Sequence, residues 1–198
     1  MRSKKTHLPN LSEKNIIKLA NKIQKFLDSC QYNHRDYARS AARVEKDKIA
    51  HCLEGALYAA WKLSLKGIKP YLLDFRAIAD DDHVVCLYRV GTYWGSIGKS
   101  STSLLSGRPA IFSSIQALVN SYASVYFNRR GKLSLNKWSG PVPMEKFKSV
   151  DWIYGQKNMQ LLAYEMDKIP GKEIISKAKL KKLPKVSKSL FKACYAQI

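Results

Sequence analysis

AHCLEGALYAAWKLSLKG, residues Ala50 to Gly67, fixes how the rest of the chain is read. Leu53, Leu57 and Leu63 recur at helical spacing, and Gly55, Ala56, Ala59 and Ala60 leave a smooth flank that can lie close against a sheet. Gly67 is a natural left-handed stop. The pattern predicts a helix that opens at Cys52. A thiol in a first helical turn meets unpaired N–H groups and the positive end of the helix dipole, both of which favour thiolate. Cys52 is therefore a candidate nucleophile.

Working outward, Asp80-Asp81-Asp82-His83-Val84-Val85-Cys86-Leu87-Tyr88 reads as an acidic turn entering a strand. Alternation sets His83, Val85 and Leu87 on one face and Val84, Cys86 and Tyr88 on the other. Gly91-Thr92 then turns the chain into a second strand from Tyr93 to Lys99, an antiparallel hairpin whose two-residue loop would place His83 opposite Ser100. An imidazole beside a helix-terminal thiol can take its proton and start acyl transfer. The aspartates beside His83 are expected to favour imidazolium. Tyr71 to Ile78 is a further apolar strand, and Leu133 to Val142 extends the sheet. Ser12 caps a helix running to about Ser29, and Ser113 with Gln116 caps another through Tyr126. Glu54 has three readings: partner of the helix N-terminus, member of an ion pair, or a specificity residue for a substrate amine or amide.

His51-Cys52-Leu53-Glu54-Gly55-Ala56 followed by Asp81-Asp82-His83-Val84 resembles the core of bacterial transglutaminase-like domains, Cys-His-Asp enzymes within the papain-like architecture. Matching stretches continue through Leu73-Asp74 and Trp94-Gly95-Ser96-Ile97-Gly98-Lys99-Ser100, so the resemblance spans roughly residues 35 to 150. It implies an α+β fold, an antiparallel sheet packed against the helix that begins at the cysteine, with Cys52 as nucleophile and His83 as base. The family's aspartate, four residues after a strand tryptophan, falls here on Gly98. Ser100 and Ser96 share that face as substitute orienters, Ser100 first by register, and Asp81 and Asp82 are the other candidates. Glu54, Asp82 and Trp94 are the substrate-binding candidates. The resemblance implies a peptide or protein amide as substrate and no cofactor.

The cysteines Cys30, Cys52, Cys86 and Cys194 are far apart, with no metal-ligand spacing, and read as reduced thiols. No run reaches the length needed to cross a bilayer, and Met1 to Lys5 is not followed by the apolar core of a signal peptide, so the expectation is a cytoplasmic protein. A net charge of +20 would draw an acidic partner or polyanion. The expected organisation is a basic flexible terminus over 1–10, a transglutaminase-like domain over 11–165 and a lysine-rich extension over 166–198. Two function classes stand: a cysteine enzyme working through a thioester, or an inactive form of the same fold that binds acidic partners or nucleic acid.

Overall fold

The computed structural model describes residues 11–195. The flexible terminus expected over 1–10 lies outside them. Helix α1 (Glu13–Ser29) starts where Ser12 Oγ accepts from the Asn15 N–H, as the cap pattern predicts. A two-residue strand β1 (Gln31–Tyr32) pairs in parallel with β2 (Ile49–Ala50) across the short helix α2 (Ala41–Asp47). Helix α3 (Cys52–Ser64) follows at once, with its cysteine as first residue.

Strands β3 (Tyr71–Ala77), β4 (His83–Val90), β5 (Tyr93–Ile97) and β6 (Arg108–Phe112) come next, then α4 (Ile115–Ala123) and β7 (Leu135–Pro143). The chain ends in α5 (Gln160–Asp167), β8 (Lys172–Glu173), α6 (Lys177–Lys182) and α7 (Lys188–Tyr195). Strands β3 to β8 form one antiparallel sheet of order β6-β5-β4-β3-β7-β8. The described residues thus make an α+β fold with seven α-helices and a six-stranded antiparallel sheet.

Alternation along β3 and β4 divides the core between the two sheet faces. Leu72, Val84, Cys86 and Tyr88 meet α1, α2, α3 and α5 on one face, while Leu73, Phe75, Val85 and Leu87 meet α4 on the other. Leu53, Leu57 and Leu63 of α3 are buried, each contributing about 1.5–3 kcal/mol. The smooth flank has its predicted use. A Cβ on Gly55 would stand 2.7 Å from Lys99 Cβ, so only glycine lets α3 approach the end of β5 this closely.

The hairpin register agrees with the sequence reading: Val90 pairs with Tyr93 and Cys86 with Ile97, although β5 ends before Ser100. Pro141 lies in β7 beyond Lys137 and Trp138, the residues that β8 covers, where the register with β3 shifts between Leu72 and Asp74. The second capping box is off by one residue, since Ser114 supplies the side-chain cap of α4.

The extension over 166–198 is not a separate appendage as far as it is described. Strand β8 pairs with β7, Arg76 donates to the carbonyls of Met166 and Ile169, and Leu180 of α6 is buried. Lysine-rich composition concealed a segment whose few apolar residues suffice to seat it. None of the helices described is long and apolar enough to cross a membrane.

Candidate active site

Helix α3 aims its first turn at the end of the sheet where β4 begins. Cys52 and His83 open there onto one cavity of about 290 Å³, also lined by Tyr32, Asp82, Ser100, Tyr126, Arg129 and Cys194. The two groups arrive from different surroundings. His83 lies on the α4 face, stacked on Phe75 at 6.1 Å between ring centroids and flanked by Tyr122 and Tyr126. The Cys52 sulfur instead faces backbone N–H groups of Val84 and Leu53 as well as its own. Among the described residues the thiol and the imidazole share no direct hydrogen bond; His83 bonds elsewhere.

Its partner is a carbonyl. His83 Nε2 lies 2.8 Å from Leu105 O, and because a carbonyl can only accept, Nε2 carries the proton and Nδ1 is left free as a base. Leu105 belongs to a short 3₁₀ turn, Ser103–Leu105, on the loop between β5 and β6. A Cβ built on Gly98 would come within 3.8 Å of the same Nε2. Gly98 therefore does face the imidazole, and a loop carbonyl holds the hydrogen bond. The backbone of Gly98 is fixed in turn by Gln24 of α1, whose amide bonds both its carbonyl at 2.9 Å and its N–H at 3.1 Å.

Neither serine acts as the expected orienter. Ser96 is buried against Tyr122, with 2.8 Å between hydroxyls, and accepts from the Arg108 N–H. Ser100 lines the cavity, but its Oγ accepts from the Thr102 N–H. Hydroxyls so close to backbone donors are taken up locally.

The substrate-binding candidates separate in the same way. Glu54 is fully buried away from the cavity, one oxygen accepting from the Arg39 N–H at 2.7 Å and guanidinium at 3.2 Å, the other from the His51 N–H at 2.6 Å and Asn33 at 3.0 Å. It braces the helix start and has no capacity left for substrate. Trp94 is also outside the cavity, at the far end of the hairpin, edge-on to Tyr71 and under the Arg89 guanidinium. Asp82 does reach the cavity, although Oδ1 accepts from the Ala77 N–H at 2.7 Å.

The electrostatics run opposite to the ion pair that the sequence suggests. Burial pushes the Cys52 thiol up to about 11, outweighing the N–H groups of Val84 and Leu53 that favour thiolate. Burial likewise pulls the His83 imidazole down to about 4; the Leu105 bond opposes this and the Arg108 charge adds to it. The resting pair at neutral pH is a neutral thiol and a neutral imidazole. The aspartates do not favour imidazolium as expected, because desolvation of the ring dominates.

Sequence reasoning missed Leu105, Arg108 and Cys194. A carbonyl carries no side-chain signature, and Cys194 reaches the cavity from α7, far along the chain. The described residues contain no group of three metal-type side chains able to hold an ion. Comparison with known families and with curated proteins finds no family model and no protein sequence that matches the chain.

Proposed function

We propose that the chain is a transglutaminase-like cysteine enzyme that transfers or hydrolyses an amide acyl group through a thioester. The observation that carries this reading is one cavity holding a helix-terminal cysteine, whose sulfur faces backbone N–H groups, and a histidine whose Nε2–H is occupied while Nδ1 is free. Starting from the neutral pair, His83 Nδ1 takes the Cys52 proton as the sulfur attacks the carbonyl carbon. The tetrahedral oxyanion forms beside the N–H groups at the start of α3. His83 returns the proton to the departing amine, leaving a thioester. Water or a second amine, deprotonated by the same imidazole, then releases the acyl group and restores the thiol. The supporting features are the order of cysteine on helix and histidine on strand, the antiparallel sheet, and the position of Gly98.

The test is alkylation of the full-length protein by iodoacetamide at pH 7, read per cysteine by peptide mapping. Cys52 is expected to react faster than Cys30, Cys86 and Cys194, and His83→Asn to slow it on the order of a hundredfold. Equal rates with and without His83 would overturn the reading.

A second reading rests on a different observation. Lys168, Lys172, Lys177, Lys179, Lys181, Lys182, Lys185, Lys188 and Lys192 are all exposed on the packed C-terminal segment, which favours a binder of acidic partners or nucleic acid. Retention on heparin that falls with salt and is unchanged in Cys52→Ala would support it.

A further inference from the structure

The loop that meets His83 is held by one side chain. Arg108, the first residue of β6, folds its guanidinium back beneath residues 104–107. Nη2 donates to Leu104 O at 2.7 Å, and Nη1 donates to Ser106 O at 3.0 Å and Gly107 O at 3.3 Å. Its carbon stands 4.0 Å from the centre of the Tyr122 ring, whose hydroxyl donates to Ser106 O at 2.9 Å. The Arg108 N–H is tied to Ser96 Oγ at 3.1 Å. Three of the four successive carbonyls from 104 to 107 therefore point at Arg108. The fourth, Leu105 O, is the one that accepts from His83 Nε2.

We propose that Arg108 is a positioning residue for His83: by gathering the carbonyls on either side of Leu105 it leaves that carbonyl aimed at the imidazole, in place of an orienting carboxylate. The proposal rests on the reading of His83 as base to Cys52. A backbone carbonyl is a weaker and less fixed acceptor than a carboxylate, so its value depends on how rigidly the loop is held. Arginine suits this because its planar fork serves several acceptors at once. Lysine, a point charge on a flexible stem, does not. The Ser96 hydroxyl thereby acquires a role different from the one the sequence suggested, since with the Tyr122 hydroxyl it anchors the clamp rather than the ring.

The test uses the full chain labelled with ¹⁵N-histidine. Two-bond ¹⁵N–¹H spectra at pH 7 read the tautomer of each ring. In the unaltered protein His83 is expected as the pure Nε2–H form. Arg108→Ala is expected to give a mixture of tautomers and to slow Cys52 alkylation about tenfold or more, and Arg108→Lys to fall between. A general loss of packing would slow or speed every cysteine, whereas this effect is confined to Cys52 and to one ring. If Arg108→Ala does not fold, Arg108→Lys alone decides: an unmixed Nε2–H tautomer with an unaltered Cys52 rate overturns the proposal, as the same result in Arg108→Ala would. Failure of the underlying reading is separate, because it appears in the Arg108 parent as Cys52 alkylation indifferent to His83→Asn.

Discussion

Glu54 and Cys52 stand two residues apart in the first turn of α3, and their surroundings differ in kind. Both oxygens of Glu54 are engaged by Asn33, Arg39 and His51, and the residue is sealed from solvent. Cys52 opens into a cavity with its thiol protonated and its histidine neighbour bonded elsewhere. The same helix end thus has a saturated side and an unsaturated side. The carboxylate that builds this helix start is fully paired. The groups offered to chemistry keep an empty acceptor or a proton to give.

The largest expected effect breaks the saturated side. Glu54→Ala removes the acceptor for four donors, among them the buried Asn33 amide, and leaves the mostly buried Arg39 with Asp47 as its one carboxylate, so it should cost about 3 kcal/mol in urea unfolding. Cys52→Ala, on the unsaturated side, should change stability by less than about 1 kcal/mol. Comparable losses in the two variants would erase the contrast.

Next comes pH. The unfolded chain binds a proton at His83 below about 6.5, whereas the folded ring resists protonation down to about 4. Stability should therefore rise with pH through this window by up to about 3 kcal/mol and be complete above it. Cys52 gives the opposite slope: between about 9 and 11 the unfolded thiol ionises and the folded one does not, so stability falls as pH rises. Unfolding curves across pH should flatten at the acid end in His83→Asn and at the alkaline end in Cys52→Ala.

A third experiment offers the His83 ring a carboxylate in addition to the Leu105 carbonyl. Gly98→Asp combined with Val85→Ala adds that carboxylate and removes the Cγ1 that a Cβ at 98 would meet at 2.9 Å. NMR titration should show the His83 pKa raised by about 1–2 units. An unchanged titration would mean that the carboxylate cannot reach Nε2. The smallest effect is assigned to Ser100→Ala. It should leave Cys52 alkylation within about twofold and stability within about 1 kcal/mol, because Ser100 Oγ serves only a neighbouring N–H.

Much of the fold was legible because its signals are local. The Ser12 cap, the α3 periodicity and the Gly91-Thr92 turn each act within a few residues, and each is found where the sequence puts it. Strand β6 was hidden because Arg108-Pro109 reads as a loop end, and β8 because Lys172 and Glu173 have no strand character of their own and pair only through β7. At the candidate site, the meeting of Cys52 and His83 at one cavity could be expected from chain order, but their protonation could not. Helix position and nearby aspartates are visible in a sequence; the depth of burial that outweighs them is a property of the assembled sheet. The orienter was illegible for a simpler reason, since every residue carries a carbonyl and only the folded loop selects Leu105.

The wall that α7 contributes through Cys194 adds a constraint of timing. At ribosomal speeds the interval between making residue 52 and making residue 194 is on the order of ten seconds. Throughout it Cys52 lacks part of its enclosure, and a solvated thiol ionises more readily than the sheltered one. The newborn chain, rather than the finished protein, is then the form most open to oxidative damage at this sulfur.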